Sequence, residues 1–480
     1  MKARCCSRAS LAALIAAILA SPVLAVASPW SEKVIHEHVD QSTINGTLSL
    51  EALEALRSKG EILFTGRFTE ADGVGRPFAT QAIIPTKRKR APESPFFRTA
   101  GMDSNACSGC HNQPVVGGAG DFVTNVFVSE GFESADFDSL DQQFSNERGS
   151  NHLFGAGLIE LLAREMTAEL RAIRSQAAAE ARRTGEPVTA SLAAKGVDFG
   201  TIVAAPDGVI DLGGVEGVDA DLVIRPFSQK GVMTSLRQFT DNALNHHHGM
   251  QASERFGERW TGTRDHDGDG HEDEISVGDI SALVAWQATL PPPTVLRPTD
   301  PAWQAAAANG SATFEAIGCA ECHRSSLPLA SLEFVDPGPS DMAGTLRTAE
   351  VADPAVYDLS LYAWARALPR NEKGDVLVPL FGDLKRHVIA DEQVAALGNE
   401  LLAQRFVERN VFMTSELWGV GSTDPYGHRN DLPTLDGVIR AHGGEGRKAR
   451  DGYIALSDAE RDGLIAFLRT LVIDPAAVAR

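Results

Sequence analysis

The chain has 480 residues, 43% hydrophobic and 22% charged, which is long enough for two or three domains. With 64 acidic against 44 basic residues its net charge is −20. That balance argues against nucleic acid or anionic lipid as a partner. It suits a soluble protein that meets a basic partner, or one that keeps its charge for solubility alone.

The N-terminus reads as an export signal. Lys2, Arg4 and Arg8 form a positive segment, Leu11 to Leu19 an apolar one too short to span a bilayer, and Ala25-Val26-Ala27 a cleavage site. Residues 1–27 are therefore expected to be a signal peptide and the mature chain to start near Ser28, with a charge of about −23. No later stretch is long and apolar enough to span a membrane.

A short helix is expected from Leu50 to Lys59, stopped by Gly60, with Gly60-Glu61-Ile62-Leu63-Phe64 following. Pro85 to Pro95 carries the basic run Lys87-Arg88-Lys89-Arg90, read as a solvated loop or a contact for an acidic group. Leu158, Ile159, Leu161, Leu162, Met166, Leu170 and Ile173 recur at helical spacing, in a helix expected to end near Gly185. Thr201 to Ile224 alternates Val, Ile and Leu with Gly and Asp, as short strands or a hairpin do.

Helices are expected again over Val232 to Leu244 and Val277 to Leu290. Pro291-Pro292-Pro293 breaks the pattern, and a domain boundary is placed there, dividing the mature chain into 28–293 and 294–480. Trp303 to Ile317 is a further helical run. Leu435 to Ala441 is another, after a tight turn at Tyr426-Gly427-His428-Arg429-Asn430. Ser457-Asp458-Ala459-Glu460 is a capping box opening a helix with Leu464, Phe467, Leu468 and Leu471 on one face.

Two Cys-x-x-Cys-His motifs dominate the chemistry: Cys107, Cys110 and His111, then Cys319, Cys322 and His323. Each is the attachment signature of a c-type haem, in which the cysteines form thioethers and the histidine becomes the proximal iron ligand. Pairing them into one zinc site is the alternative, since zinc takes four Cys or His ligands. Of six cysteines, Cys5 and Cys6 lie in the export segment and the other four in the motifs. None remains for a disulfide, although an exported protein would be permitted one. Covalent haem attachment and the signal agree on a bacterial periplasm.

Asp265, Asp267 and Asp269 fall on alternate positions before Gly270, the spacing of a calcium loop, with Asp273 or Glu274 replacing the missing acidic twelfth residue. An acidic exposed turn is the alternative. The sixth position of the first haem is left open: His248 or His247 of the triple histidine, His152, or no ligand and room for peroxide. In the last case Glu160 is a candidate proton donor. Met413 is a packed core residue or a ligand.

The chain resembles the di-haem oxidoreductase family, often described as thiol oxidoreductases, within the superfamily of di-haem cytochrome c peroxidases and methylamine-utilisation di-haem enzymes. The resemblance runs through Asp103 to His111, Leu153 to Glu160, Asp265 to Leu283, Asp383 to His387, Leu417 to Gly421 and His428 to Gly446. It implies a mainly α protein with two cytochrome c-like haem domains, irregular loops and a few short strands. It places His442 where the peroxidases carry a methionine, as the sixth ligand of the second haem. Bis-histidine ligation would lower the potential relative to Met/His; a dipole-favoured histidine at a helix C-terminus is the alternative. The chain departs from the family after His387, with Val388-Ile389-Ala390 in place of His-Asp-Met-Gly, and at Met413, where an Arg is often found.

The resulting expectation is a peroxidase-like oxidoreductase, with a small redox protein as electron donor or acceptor and a small-molecule substrate. A non-catalytic di-haem electron carrier is the main alternative. An enzyme acting on a protein or thiol partner over long range is the third, with Trp260, Trp286, Trp303, Trp364 and Trp418 as relays or plain core residues.

Overall fold

The computed structural model describes residues 30–74, 104–121, 123–128, 145–266, 268–341, 344–398 and 407–478. The signal segment and the Lys87–Arg90 run lie outside them. From Lys33 onward the chain forms one compact unit. No helix among the described residues is long and apolar enough to cross a membrane.

Helix α1 (Leu50–Thr65) starts at the Ser49 cap and buries Leu53, Leu56, Gly60, Leu63 and Phe64. The expected stop at Gly60 is overruled. Gly60 lies inside the helix because a side chain there would sit 2.0 Å from the Ala282 carbonyl oxygen. Its glycine serves close helix packing rather than termination.

Helix α2 (Ala156–Thr184) is bracketed by left-handed Gly155 and Gly185, and its long tail ends in Arg182 and Arg183, which suit a helix C-terminus. The strands after it begin earlier than expected: β1 (Val188–Ala194), β2 (Val197–Ala204) and β3 (Ile210–Val215) form an antiparallel sheet in that order. Leu192, Ala194, Val197, Phe199, Ile202 and Ala204 are its buried face.

Helix α3 (Leu236–Ala243) is shorter than the expected run, and a π-helical turn, Leu244–His248, follows it directly. Such turns widen the backbone spiral and re-aim side chains. Arg237 of α3 is 1% exposed and anchors the helix. Its guanidinium binds Asp336 at 2.9 Å and Glu254 at 2.8 Å. Removing either carboxylate would leave a buried charge uncompensated, at a cost of about 3–5 kcal/mol. Helix α4 (Val277–Ala288) opens on a Ser276–Asp279 capping box and is buried nearly all round, crossing α1 at Gly60.

Helix α5 (Pro301–Ala316) has Asp300 as cap and proline at its first position. Helices α6 (Leu435–Arg440), α7 (Arg447–Ala455) and α8 (Asp458–Leu468) complete the chain, and both arms of the Ser457–Glu460 capping box form. Helices α5 and α8 cross at Gly310, where an added side chain would sit 1.9 Å from the Gly463 carbonyl oxygen. A second apolar cluster gathers around that crossing, with Phe314, Leu435, Tyr453, Leu464, Phe467 and Leu468 buried.

Candidate functional site

Both Cys-x-x-Cys-His motifs fold alike. Cys107–Gly109 and Cys319–Glu321 are single 3-10 turns. The His111 amide donates to the Cys107 carbonyl at 3.1 Å and the His323 amide to the Cys319 carbonyl at 3.0 Å. None of the four motif cysteines pairs in a disulfide, and burial pushes the Cys107 thiol up to about 12 and the Cys319 thiol up to about 11.

The histidines are prepared as ligands. His111 donates Nδ1–H to the Asn151 carbonyl at 2.8 Å, and His323 donates Nδ1–H to the Phe381 carbonyl at 3.3 Å. Burial pushes both down to about 4, so both rings are neutral at pH 7. That tautomer leaves the Nε2 lone pair for a metal, the usual arrangement of a ligating histidine.

His442 faces His323. Its Nδ1–H donates to the Val438 carbonyl one turn back at 2.8 Å, which again leaves Nε2 as the lone pair. Burial holds its pKa down. The two ring centres are 6.5 Å apart at 64°. Imidazoles bound through nitrogen on opposite sides of one metal ion, at about 2 Å each, have centres about 6 to 6.5 Å apart. The spacing therefore fits one iron between them.

A cavity of about 300 Å³ lies here, lined by Phe314, Ile317, Leu435, Ile439, Leu464 and Leu468 beside both histidines and both cysteines. Phe314 of its lining meets Phe381 and Phe467 edge to face, and the three ring centres are 5.5 to 6.5 Å apart. The same cavity also has a polar side, with Asn151, Glu416, His428, Asn430 and Glu445 in its lining.

His387 of strand β4 (Arg386–Val388) lies at the rim of this site. Its Nε2 binds Asp383 at 2.9 Å and its Nδ1 binds Glu445 at 2.7 Å, 4.0 Å from Cys322 Sγ. Burial pulls its pKa down, but these hydrogen bonds outweigh it and push it up to about 11. Cys322, Asp383 and His387 bring their ligand atoms within 4.8 Å of one another. Through its hydrogen bonds to Asp383 and Glu445, His387 braces the rim of the site.

The first site is built differently on its other face. The π-turn brings His248 to the attachment cysteine: Nδ1–H donates to the Ser104 carbonyl at 2.6 Å, and Nε2 lies 3.5 Å from Cys107 Sγ. Phe68 packs 5.8 Å from the same ring. His246 is buried in the same turn and His247 is partly exposed.

His152 follows Asn151, whose carbonyl accepts Nδ1–H of His111. Its Nε2–H donates to the Trp418 carbonyl at 2.9 Å. The Glu160 carboxylate accepts from Arg164 at 2.5 Å and from the Leu236 amide at 2.7 Å, and burial pushes its pKa up to about 7.

His428 lines the cavity, stacked 3.4 Å from Phe412. Lys230 sits 3.5 Å from the Phe412 ring centre and donates to the Glu408, Arg409 and Val411 carbonyls. Met413, on strand β5 (Val411–Met413), is buried against Gly231.

In the acidic loop, Asp267 lies outside the described residues. Asp265 accepts from the Gly268 and Gly270 amides at 2.6 and 3.2 Å, and Asp269 from the His271 amide at 2.8 Å. Asp273 binds Ser253 and Arg264, and Glu274 accepts from the Gln251 amide at 2.7 Å.

No family model matches the chain, and no curated protein matches it. Among solved structures it is similar to one described as the crystal structure of a MauG-like protein associated with microbial copper homeostasis. That likeness covers 66% of this chain and 89% of the other, at 15% identity and a TM-score of 0.27.

Proposed function

We propose that this chain is an exported di-haem c-type oxidoreductase of the peroxidase-like kind. Cys107 and Cys110 would hold one haem under His111, and Cys319 and Cys322 a second between His323 and His442. One observation carries the reading: two neutral imidazoles, each pinned by Nδ1 to a backbone carbonyl, have ring centres 6.5 Å apart and line one cavity beside a Cys-x-x-Cys pair. Two cytochrome c-like domains are part of the proposal, supported by the two glycine-centred helix crossings beside the two motifs. So are periplasmic location, a small redox protein as partner and a small-molecule oxidant or substrate.

When bound, haem supplies one-electron redox chemistry and, at an iron with an open position, a place for a small oxidant such as peroxide. The chain's own residues set which centre does which. At the second, His442 would supply the other axial imidazole, beside the apolar side chains of Phe314, Leu435, Ile439 and Leu468. At the first, His248 is held against the cysteine by Ser104.

The test is haem content by pyridine haemochrome, followed by EPR and optical spectra of the ferric and half-reduced protein. Two haems with a high-spin signal, at rest or on half-reduction, are expected and lead to peroxide titration. Two low-spin signals in every redox state would overturn the peroxidase-like reading in favour of an electron carrier. Fewer than two haems would overturn both.

A further inference from the structure

His111 and His323 belong to separate motifs, yet their hydrogen-bond partners join. His111 Nδ1 donates to the Asn151 carbonyl at 2.8 Å, and the next residue, His152, donates Nε2–H to the Trp418 carbonyl at 2.9 Å. Trp418 follows Leu417, whose amide donates to the Phe381 carbonyl at 3.2 Å. That same oxygen accepts Nδ1–H of His323 at 3.3 Å. Five residues thus connect one proximal ring to the other through two covalent steps and four hydrogen bonds.

The bridge is built with some care. Burial pushes His152 down to about 4, so its ring is neutral, and its Nδ1 has no hydrogen-bond partner among the described residues. The Trp418 contact therefore carries the polar role of the ring. Glycines clear the space on both sides. A side chain at Gly419 would lie 3.1 Å from His152 Nε2, and one at Gly155 would lie 2.5 Å from the Trp418 ring. Both have positive φ, +86° and +81°, so other residues are strained there as well. Trp418 is 3% exposed.

We infer that His152 is a positioning residue that couples the two metal centres, so that a change of charge at one alters the ligand field at the other. The inference rests on the two-haem reading above. The physics is that of second-shell hydrogen bonds. The partner of a ligand's Nδ1–H tunes how strongly its Nε2 donates, and hydrogen bonds in series polarise one another in a low-dielectric interior. A change of charge at His111 Nε2 makes its Nδ1–H a stronger or weaker donor to Asn151. The adjoining His152 passes the displacement to the Leu417–Trp418 segment, and that segment shares the Phe381 oxygen with His323. His152 is the side chain that crosses between the two shells.

The experiment is EPR of the second centre's ferric low-spin signal before and after one-electron reduction of the first, with haem counted beforehand. In the native protein the g values should shift on half-reduction. In His152→Leu, with two haems per chain and an unchanged far-UV CD spectrum, the shift should be lost. In His152→Gln, whose side-chain amide reaches the Trp418 carbonyl as a donor, it should return. Gly419→Ala, pressing on His152 without touching either ligand, should diminish it. Fewer than two haems in the native protein would mean that the two-haem reading has failed. Two haems and no native shift, or a shift kept in His152→Leu, would overturn the coupling role. Should His152→Leu not fold, His152→Gln and Gly419→Ala decide: an undiminished shift in Gly419→Ala or its loss in His152→Gln overturns it.

Discussion

The two motif regions share one supporting plan and differ on the face opposite the proximal ring. In each, a helix carries glycine and, four residues later, phenylalanine: Gly60 and Phe64 in α1, Gly310 and Phe314 in α5. The glycine lets a partner helix, α4 or α8, touch backbone to backbone. One turn on, the phenylalanine ring centre lies 6.1 Å from His111 or 6.4 Å from His323. On the opposite face the likeness ends. The second region offers His442 from the end of α6, aligned with His323; the first offers His248 from a π-turn, seated on Cys107. The support is generic and repeated, while the distal side is individual, so any division of labour between the centres resides there.

The comparison breaks most visibly at the crossings. Valine at Gly60 or Gly310 would drive a side chain into a backbone oxygen 2.0 or 1.9 Å away, which cannot swing aside. Overpacking of this kind costs about 1–3 kcal/mol, and backbone contact should put it at the upper end. Both variants should unfold at lower denaturant concentration. Gly310→Val should weaken the second centre's low-spin EPR signal and spare the first, and Gly60→Val the reverse. If both variants disturb the two centres equally, the crossings are not separate supports.

Much of the supporting plan is legible in the sequence, because it rests on local rules. The Ser457–Glu460 capping box, the Gly185 stop and the Cys-x-x-Cys-His spacing each act within a few residues. Gly60 shows where local rules mislead: a glycine that looks like a helix stop is a contact point, and only the position of Ala282, far along the chain, reveals it. The hydrogen-bond shells were invisible for a related reason. Asn151, Phe381 and Trp418 contribute carbonyl oxygens, which every residue type carries, so composition and spacing give no hint of them. His152 stands in the sequence as one open candidate for the first haem's sixth position, and its hydrogen bond to the Trp418 carbonyl, 266 residues along the chain, is not legible there. His387 owes its charge first to Asp383, four residues earlier, and then to Cys322 and Glu445, which are distant in the chain.

His442 sharpens the comparison at a smaller scale. Removing it in His442→Ala should convert the second centre from low to high spin in the ferric EPR spectrum, with haem content unchanged. Replacing it by methionine should keep the low-spin state and raise the midpoint potential, because Met/His ligation does so relative to bis-His. A low-spin second centre in His442→Ala would mean that another residue is the ligand and that the 6.5 Å alignment with His323 is incidental.

The smallest effect concerns the brace at the second site. His387 ties Cys322 and Asp383 to Glu445, three residues beyond His442. Burial opposes its charge, but the hydrogen bonds to Asp383, Cys322 and Glu445 win and push it up to about 11. The folded value exceeds the unfolded one, about 6.5, so the folded protein keeps a proton that the unfolded chain releases. Stability from the brace is then complete below pH 6.5 and declines as pH rises toward 11, by at most about 1.4 kcal/mol per pH unit. Denaturant unfolding of the native protein and His387→Gln should therefore differ most near pH 6, and the difference should narrow steadily through pH 10 and close only above about pH 11. A gap that stays constant across that range would mean that the ring holds no extra proton, and that Asp383 and Glu445 act through packing alone.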